Sequence, residues 1–464
     1  MTKRKFDLNI EKILEDWEIY HALREVIANA IDEQILTNTQ DIKIFKDSEG
    51  KWHIRDFGRG LRYQHLTQKE NEEKLSNSQM IGKFGIGLKD ALATFDRKGV
   101  RALIKSPHGD ITLEKSQKHD FEDIVTLHAQ VSPPSKTDLT GTEFIFEDVS
   151  EDDINNAKNL FLRFSRDALL EETKYGGVFA KPGGTGRIYI NGVRVAEEEK
   201  FLFSYNITSL TQKIRKALNR ERTNVGRSAY SDRVKSILLT CQTTKVAQEL
   251  IGDLERYSAG TSHDELRWID VQEHAVKILN AKESVVFLTP HEIETAPMMV
   301  DETRSAGYRI VTVPENLRDR IQGSTDISGN TIRDLSQFTK EYQESFEFQF
   351  VNYSDLSLKE QQIYAMTDRI FAAIGGKPHR IKEIKVSETM RKDFNTFQEV
   401  TGLWEPSERR IIINRSQLHD LKTYAGTLLH ETCHAKSGAA DVSRRFEHEL
   451  TKLLGLICAR SLYE

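Results

Sequence analysis

The feature that most limits the possible folds is the long stretch 11–36, which contains neither glycine nor proline. Apolar side chains recur in it at steps of three, four or seven residues, at Ile13, Trp17, Tyr20, Ile27 and Ile31. This spacing places them on one face of a helix. An amphipathic helix of this length must cover its apolar face with a second layer of structure. The stretch therefore predicts one long helix over 11–36 that packs on a sheet or on other helices.

Short alternating segments follow this helix and can supply the second layer. A hairpin is predicted at 42–45 and 52–55 around Glu49-Gly50, and a glycine-rich loop at 82–87 precedes a helix over 88–95. Further strands are predicted at 102–105, 111–113, 124–130 and 142–146. Together these elements predict an α+β sandwich with helices on one face of a mixed sheet.

The remainder of the chain indicates further layers of helices and strands. Turn residues at 176–186 mark a junction, and Asn191-Gly192 predicts a hairpin between 187–190 and 193–195. A single helix is predicted over 228–253. The later segments are read as one βαβ unit followed by a polar connection to a last domain, at 284–289, 296–306, 308–313 and 323–349.

Composition restricts the function. The 66 Lys and Arg residues against 71 Asp and Glu give a formal net charge of −5. No global field therefore marks a nucleic-acid or membrane-surface protein, although this sum would not reveal a local basic groove. Three scattered cysteines, Cys241, Cys433 and Cys458, exclude a disulfide framework or a four-cysteine zinc site. With no signal peptide recognised and no stretch near the roughly 18 apolar residues of a membrane span, we expect a cytoplasmic protein without a membrane partner.

Three polar residues on the first predicted helix form the first candidate site. Glu25, Asn29 and Asp32 stand at i, i+4 and i+7, so their side chains project from one helix face. Two carboxylates and an amide on one face could bind Mg²⁺ and orient a water molecule. A solvated polar face is the alternative for this triplet by itself.

An acid followed by two glycines comes next, in Asp56-Phe-Gly58-Arg-Gly60. Glycines let a backbone pass close to a planar ligand, and the acid can accept a hydrogen bond from an exocyclic amine. An ordinary turn at the end of a strand is the alternative explanation.

A third motif places Gly82, Gly85, Gly87 and Lys89 just before a helix. Exposed backbone N–H groups, a helix N-terminus and an ammonium are the groups that bind a polyphosphate. The motif lacks the Gly-Lys-Ser/Thr ending and the strand context of a P-loop.

The order of these motifs, completed by Gly141-Thr142 on a late strand, resembles the four nucleotide-binding boxes of the GHKL ATPases. This superfamily includes the gyrase B subunit, the heat-shock-ninety chaperones, the MutL repair proteins, the MORC proteins and the histidine kinases. The resemblance covers about residues 10–150. It implies an ATP-binding α/β sandwich that uses ATP and Mg²⁺ and dimerises when nucleotide binds, followed in gyrase-type members by a two-layer αβ transducer domain.

The resemblance also implies roles for single residues. Glu25 would be the general base for the hydrolytic water and Asn29 would coordinate Mg²⁺. Asp56 would receive the adenine amino group, supported by Thr142. The other nucleotide-binding positions, several of them in a lid that begins near Leu61, would be Asp32, Gly58, Gly60, Gly82, Gly85, Gly87 and Lys89. An ion pair with arginine or lysine is an equally open role for Asp32.

Arg222 is a candidate in the transducer-like region. Transducer domains donate a cation to the γ-phosphate from a loop before a helix, and Arg222 occupies a comparable place after the hairpin at 187–205. The family usually has lysine there, so the role of Arg222 stays open between phosphate binding and a basic surface loop.

The C-terminal part carries a second constellation, His430-Glu431-Thr-Cys-His434. On a helix the two histidines lie one turn apart on the same face, so both imidazoles can bind one Zn²⁺. Zinc lowers the pKa of a bound water to about 7, and Glu431 could then move its proton to the leaving amine of a substrate. A buried, hydrogen-bonded histidine pair in a helix core is the alternative.

The third zinc ligand is open. The strand pair predicted at 402–414 resembles the edge strand before the active-site helix of zincin metallopeptidases, where substrate adds a strand. The spacing does not fit metzincins, whereas gluzincins take a carboxylate from a second helix. Glu447 is our first candidate because it flanks the apolar stripe of the next predicted helix. Asp441 and His448 are the alternatives.

We therefore predict an α+β multidomain chain: a GHKL domain at 1–165, a transducer-like αβ domain at 166–280, a small βαβ module with a connection at 281–340, and a zincin-like α+β domain at 341–464. The expected cofactors are ATP, Mg²⁺ and Zn²⁺. The expected function is a homodimeric, ATP-controlled zinc endopeptidase that cleaves a cytoplasmic protein in stress control or defence against phage. The alternatives are a MORC- or gyrase-like ATP-dependent DNA clamp or chaperone with a structural zinc site, and a regulatory protein that binds ATP without turnover. The sequence does not identify the protein substrate and gives no indication of nucleic-acid binding.

Overall fold

The computed structural model describes residues 4–8, 16–66, 80–82, 87–118, 121–181, 183–218, 225–256, 263–391 and 400–463. The chain divides into two compact units, Met1–Lys282 and Glu283–Glu464. Both units combine sheets with helices, which confirms the prediction of an α+β multidomain chain. Within the described ranges, no helix has both the length and the apolar character needed to cross a membrane.

Seven strands form the first sheet of the first unit: β1 Arg4–Asp7, β2 Lys43–Lys46, β3 Trp52–Arg55, β4 Arg101–Lys105, β5 Asp110–Lys118, β6 Phe121–Ser132 and β7 Glu143–Glu147. Their order is β1-β6-β5-β4-β7-β3-β2. Every neighbouring pair is antiparallel. The predicted strands are confirmed, but the prediction of a mixed sheet is wrong, because each strand runs opposite to its neighbours; β3 and β4, which run in the same direction, are separated by β7.

Three helices share one core with this sheet: α1 Ile19–Thr37, α2 Gly87–Arg97 and α3 Glu151–Lys158. Helix α1 is shorter at its start than the sequence predicts. Glu18 is extended, with φ −87° and ψ 168°, and its N–H donates to His21 Nδ1 at 3.0 Å, so the helix begins only after it. Trp17 is buried although it precedes the helix. The predicted helical residues 11–15 lie outside the described ranges.

Five strands form the second sheet of this unit: β8 Ala168–Thr173, β9 Gly176–Ala180, β10 Gly186–Ile190, β11 Val193–Glu198 and β12 Phe203–Ile207. Their order is β11-β10-β12-β9-β8, with β10 and β12 parallel and the other pairs antiparallel. The predicted hairpin is confirmed, and its turn residues Asn191 and Gly192 have φ values of 48° and 78°, as a two-residue hairpin turn requires. The accompanying helices are α4 Gln212–Ala217, α5 Arg227–Leu238, α6 Thr244–Glu255 and α7 Ile269–Lys282.

The prediction of one helix over 228–253 is wrong, because α5 and α6 are separate helices. Glu171 on β8 accepts the Gln242 N–H at 2.5 Å, and the N–H and hydroxyl of Thr243 at 3.0 and 2.6 Å. This carboxylate satisfies N–H groups at the start of α6. The break therefore depends on a tertiary contact that helical periodicity does not reveal.

The second unit begins with the predicted βαβ arrangement, which is confirmed. Strands β13 Val285–Leu288 and β14 Arg309–Thr312 are parallel, and α8 Pro290–Thr295 and α9 Pro297–Ser305 lie between them in the chain. Two more helices follow, α10 Glu315–Ile321 and α11 Leu335–Ser345. Helix α11 lies within the segment 323–349, which the sequence predicts only as a polar connection. Asp334 precedes the helix as its N-cap, and its side chain accepts the Gln337 N–H at 2.7 Å.

A four-stranded sheet completes the second unit: β15 Phe350–Val351, β16 Glu383–Ser387, β17 Gly402–Glu405 and β18 Arg410–Asn414. The order is β15-β16-β18-β17, so the predicted strand pair β17–β18 is antiparallel and β17 lies at an edge. The helices of this part are α12 Leu358–Tyr364, α13 Thr367–Ala373, α14 Leu421–Ser437 and α15 Arg444–Tyr463. Helix α14 packs on β17, β18 and α15, and this packing positions the histidine motif next to the edge strand.

Candidate functional site

The first predicted site gathers around α1. Asp32 is buried, and its two carboxylate oxygens accept the N–H groups of Ile81 and Gly82, each at 2.7 Å. Both bonds are charge-assisted, which makes them stronger than bonds between neutral groups. Asp32 therefore holds the backbone at the start of the glycine-rich segment.

Glu25 contacts the other end of that segment. Its buried carboxylate accepts Arg24 Nε at 3.0 Å, and a Cβ placed on Gly87 would lie only 2.1 Å from Glu25 Oε2. Only glycine allows the start of α2 to come so close to the carboxylate. One turn further along α1, Asn29 donates from Nδ2 to the Glu25 carbonyl at 2.9 Å. Lys89 lies in the first turn of α2 and is half-buried.

The second and fourth motifs meet at the ends of β3 and β7. Asp56 Oδ1 accepts the N–H groups of Gly58 at 2.9 Å and Thr142 at 3.2 Å. The Thr142 hydroxyl accepts the Leu61 N–H at 2.9 Å. Gly141, with φ 84°, has its Cα beside the Asp56 carbonyl, where a Cβ would lie 2.1 Å from the oxygen. Burial raises the pKa of Asp56 to about 6 because it disfavours the charged carboxylate.

One ion pair in this site was missed from the sequence. Glu33 accepts both the N–H and the Nε of Arg59 at 2.9 Å, and Nη2 at 3.0 Å. A Cβ on Gly58 would lie 2.4 Å from Glu33 Cγ, so glycine is needed beside this pair, and Gly60 is needed for its φ of 84° and for its approach to Pro107. The positions of the two residues could have indicated the pair: Glu33 lies two turns beyond Glu25 on α1, and Arg59 lies between the two glycines of the second motif.

Three parts of the predicted nucleotide site lie outside the described ranges, namely Gly85, Arg222 and lid residues 67–79. Within those ranges, the structure brings residues of all four motifs to α1 and to the adjoining ends of β3 and β7.

The second predicted site lies on α14. The Nε2 atoms of His430 and His434 are 3.2 Å apart. Asp441 Oδ1 lies 3.1 Å from His430 Nε2 and 3.2 Å from His434 Nε2. In the described part of the chain, these three residues form the one group of histidine, cysteine and acidic side chains compact enough to hold a metal ion.

The third residue of this cluster is Asp441, the second of the three candidates named from the sequence. Helix α14 ends at Gly438 with φ 63°, and Val442 has φ 60°. These two left-handed residues turn the chain back so that the Asp441 carboxylate reaches the imidazoles. Glu447 and His448 are exposed on α15 and are not brought to the cluster.

The surroundings of the histidines fix their orientation. His434 Nδ1 lies 2.8 Å from the Ala439 carbonyl. Donation from Nδ1 to this carbonyl leaves the Nε2 lone pair for a metal, as is usual for metal-binding histidines. The buried Phe446 ring packs under both imidazoles, with centroids 4.9 Å from His430 and 4.5 Å from His434.

Glu431 faces the edge strand β17. Its Oε2 accepts the Trp404 N–H at 2.8 Å. Gly402 brings the strand close to the helix, because a Cβ there would lie 2.5 Å from Thr427 Cγ2 and 2.9 Å from Glu431 Cγ. Burial raises the pKa of Glu431 to about 7. Glu431 therefore stands between the two histidines in sequence, and its carboxylate contacts the edge strand β17.

The fold and these two sites define a multidomain α+β protein with a carboxylate-rich helix site and a His-His-Asp cluster. Residues 152–244, which span α3, the second sheet and α5, match the family described as Mycoplasma pneumoniae MPN635 N-terminal domain. An uncharacterized protein of Mycoplasma pneumoniae (strain ATCC 29342 / M129 / Subtype 1) is 38% identical over 241 residues, 51% of this chain and 96% of the relative. Another uncharacterized protein of that strain is 25% identical over 349 residues, 69% of this chain and 96% of the relative. The chain belongs to the family of the first of these proteins.

Proposed function

We propose that the protein is a zinc-dependent endopeptidase controlled by an ATP-binding and ATP-hydrolysing domain. The observation that carries the peptidase proposal is the triangle formed by His430, His434 and Asp441, with sides of 3.2, 3.1 and 3.2 Å. In a tetrahedral zinc site with bonds of about 2.0–2.1 Å, ligand atoms lie about 3.3 Å apart. The three atoms therefore fit one zinc ion, and no fourth histidine, cysteine or acidic side chain of the described residues joins them, so water could take the fourth position.

Bound zinc would supply a water of lowered pKa and would polarise the carbonyl of a scissile peptide bond. Glu431 would take a proton from that water at Oε1, because Oε2 accepts the Trp404 N–H, and would pass it to the leaving amine. In the described ranges, β17 pairs on one side only, with β18. A substrate in extended conformation could pair with the other side of β17 and be aligned along Glu431.

The nucleotide part of the proposal depends on the contacts of the first unit. A buried acid held by Thr142 at the end of β3, and a second acid that meets Gly87 at the start of α2, suit the two ends of a nucleotide. Asp56 would accept the adenine amine and Glu25 would orient the water for hydrolysis. Dimerisation on ATP binding would then change the peptidase activity. The size of this effect would depend on how much more tightly the dimer binds ATP than the monomer does.

The peptidase is tested with Glu431→Gln and with Glu447→Gln as the matched control on an exposed carboxylate. Zinc content by elemental analysis should be unchanged in both variants. Cleavage of an unstructured protein such as casein should fall by at least about 100-fold in Glu431→Gln and stay at wild-type rate in Glu447→Gln. Wild-type protein that binds one zinc ion but cleaves no protein would favour a structural zinc site, and so the DNA clamp.

The ATPase is tested with Glu25→Ala, which should retain ATP binding and lose hydrolysis. Glu199→Gln serves as the control, since Glu199 is an exposed carboxylate in the turn between β11 and β12. Peptidase rate and molecular mass by light scattering are then compared without nucleotide, with ATP and with a non-hydrolysable analogue. If neither the molecular mass nor the peptidase rate changes with nucleotide, the proposal that ATP regulates the peptidase is refuted.

A further inference from the structure

We infer that Asn191, in the hairpin turn of the second sheet, is a positioning residue for Met80–Gly82, the start of the glycine-rich segment of the first site. The inference depends on the proposed ATP function for its consequence, but its structural part stands on contacts alone. Asn191 Nδ2 donates to the Met80 carbonyl at 3.3 Å. Met80 is the residue directly before Ile81 and Gly82, whose N–H groups are held by Asp32.

Three consecutive residues at the entrance of the segment are therefore held from two sides. Asp32 on α1 holds two N–H groups, and Asn191 on the second sheet holds the preceding carbonyl. Met80 is 1% exposed, so water does not readily replace a lost bond to its carbonyl. A shift of the second sheet would move one of the two anchors and not the other.

The turn that carries Asn191 is itself tightly held. The Asn191 N–H donates to the Ile207 carbonyl at 3.0 Å, and the Gly192 N–H donates to Asn206 Oδ1 at 2.8 Å. The Gly192 carbonyl accepts the Leu162 N–H at 2.8 Å. These bonds tie the turn to β12 and to the segment after α3. Asn191 therefore follows the second sheet as a rigid part of it.

The segment 152–244 that matches the family contains Asn191, whereas Met80 and Asp32 lie outside it. The contact therefore joins the family-matched part of the chain to the candidate nucleotide site. If the glycine-rich segment binds the triphosphate, movement of the second sheet is transmitted to the phosphate end of the nucleotide. The adenine end, at Asp56 and Thr142, belongs to different strands and should not respond.

The test uses Asn191→Gly in the whole 464-residue chain. Glycine accepts the φ of 48° and retains every backbone bond of the turn, so this variant removes only the side chain. Asn38→Gly is the matched control, because Asn38 also has a left-handed φ, of 50°, but caps the end of α1. Asn191→Asp is a second variant that keeps the shape and replaces the donor by an oxygen facing a carbonyl.

Two measurements separate the inference from the proposed function. Hydrogen exchange of the Ile81 and Gly82 amides needs no nucleotide; it should become faster in Asn191→Gly and Asn191→Asp but not in Asn38→Gly. ATP affinity should fall about three- to tenfold in both Asn191 variants, the contribution of one hydrogen bond, while adenosine affinity stays unchanged.

Unchanged amide exchange in Asn191→Gly overturns the inference, whatever the protein binds. Equal losses of ATP and adenosine affinity also overturn it, because they indicate general destabilisation. Wild-type protein that binds no ATP refutes the proposed nucleotide function, while the exchange result still decides whether Asn191 positions the segment.

Discussion

The two candidate sites are built in opposite ways. In the second unit, the cluster comes from one helix and the turn after it, and the side chains of His430 and Asp441 are 43% and 61% exposed. In the first unit, the buried acids Asp32 and Glu25 on α1 meet the backbone at Ile81-Gly82 and at Gly87, and Asp32 is completely buried. The His-His-Asp cluster depends on helix spacing, whereas the site around α1 depends on tertiary packing. Changes at the cluster should therefore alter ligand affinity alone, whereas changes around α1 should alter stability and activity together.

The largest effect is expected at Asp441. Asp441→Ala removes one of three atoms that fit a zinc ion, so zinc affinity should fall by more than the roughly 10- to 100-fold typical of residues that contact the ligands and not the metal. Zinc binding can be measured by competition with a chromogenic chelator. The thermal stability of the zinc-free protein should change little, because the side chain is mostly exposed.

Glu447→Gln is the control for this experiment and also tests the sequence-based choice of ligand. Its zinc affinity should equal that of the wild type, because Glu447 is exposed on α15 away from the imidazoles. An equal loss of zinc affinity in both variants would show that the second helix contributes after all.

Gly87→Ala should show the opposite behaviour. The added Cβ would lie 2.1 Å from Glu25 Oε2, so α2 or the carboxylate must move. We expect a loss of about 1–3 kcal/mol in the free energy of unfolding, as overpacked sites show, together with a lower ATPase rate. Chemical denaturation and a phosphate-release assay measure the two effects.

Gly252→Ala is the matched control for Gly87→Ala. Gly252 lies inside α6, and a Cβ there meets nothing within 4 Å. The substitution should stabilise the protein by about 0.5–1 kcal/mol, because alanine loses less backbone entropy in a helix than glycine does. A Gly87→Ala variant as stable and active as Gly252→Ala would contradict the packed arrangement of the first site.

The contrast between the sites also explains what could be predicted from the sequence. Spacing along one helix was sufficient to bring His430 and His434 together, because i and i+4 positions share a face. The choice of Asp441 over Glu447 was not predictable, since it depends on left-handed backbone at Gly438 and Val442. Helical periodicity does not predict the direction in which the chain continues after a helix ends.

The fold of the first unit was predictable as far as local patterns reach. Alternation in β2, β3, β4 and β7 predicted strands that are present, and Asn191-Gly192 predicted its hairpin. The boundary of α1 and the break between α5 and α6 were missed, because Glu18 and Glu171 act through hydrogen bonds that apolar spacing does not encode. The Glu33–Arg59 pair was missed for the same reason.

Acid should weaken nucleotide binding through Asp56. Its pKa of about 6 means that the carboxylate is protonated below that pH and can no longer accept from an adenine amine. One proton with this pKa lowers affinity about tenfold between pH 7 and pH 5. Adenosine, measured by calorimetry beside ATP, removes the titration of phosphate from the comparison. Affinity for adenosine that does not depend on pH would exclude Asp56 as the acceptor.

The same shift has a consequence for stability, with the opposite dependence on pH. The folded protein binds this proton more tightly than the unfolded chain, whose aspartate titrates near its ordinary value of 3.8. The contribution of Asp56 to stability is therefore greatest below about pH 4 and decreases as the pH rises towards 6. Asp56→Asn should remove this decrease, which denaturation at pH 4 and pH 7 would detect as a smaller difference than in the wild type.

The smallest effect is expected between α14 and α15. Glu449 on α15 forms ion pairs with Lys436 of α14 and with Lys452 of its own helix, each with an N–O distance of 3.1 Å. Lys436→Met and Lys452→Met thus each remove one ion pair of the same carboxylate, but only the first connects the helix of the histidines to the helix of Phe446. Because Lys436 is the less exposed lysine, we expect a destabilisation of about 0.5–1 kcal/mol for Lys436→Met and about 0.3 kcal/mol for Lys452→Met. Zinc affinity should be unchanged in both variants, because the cluster is held by the turn after α14 and by the buried Phe446 ring. A loss of zinc affinity in Lys436→Met alone would mean that the second site, like the first, depends on packing between distant elements.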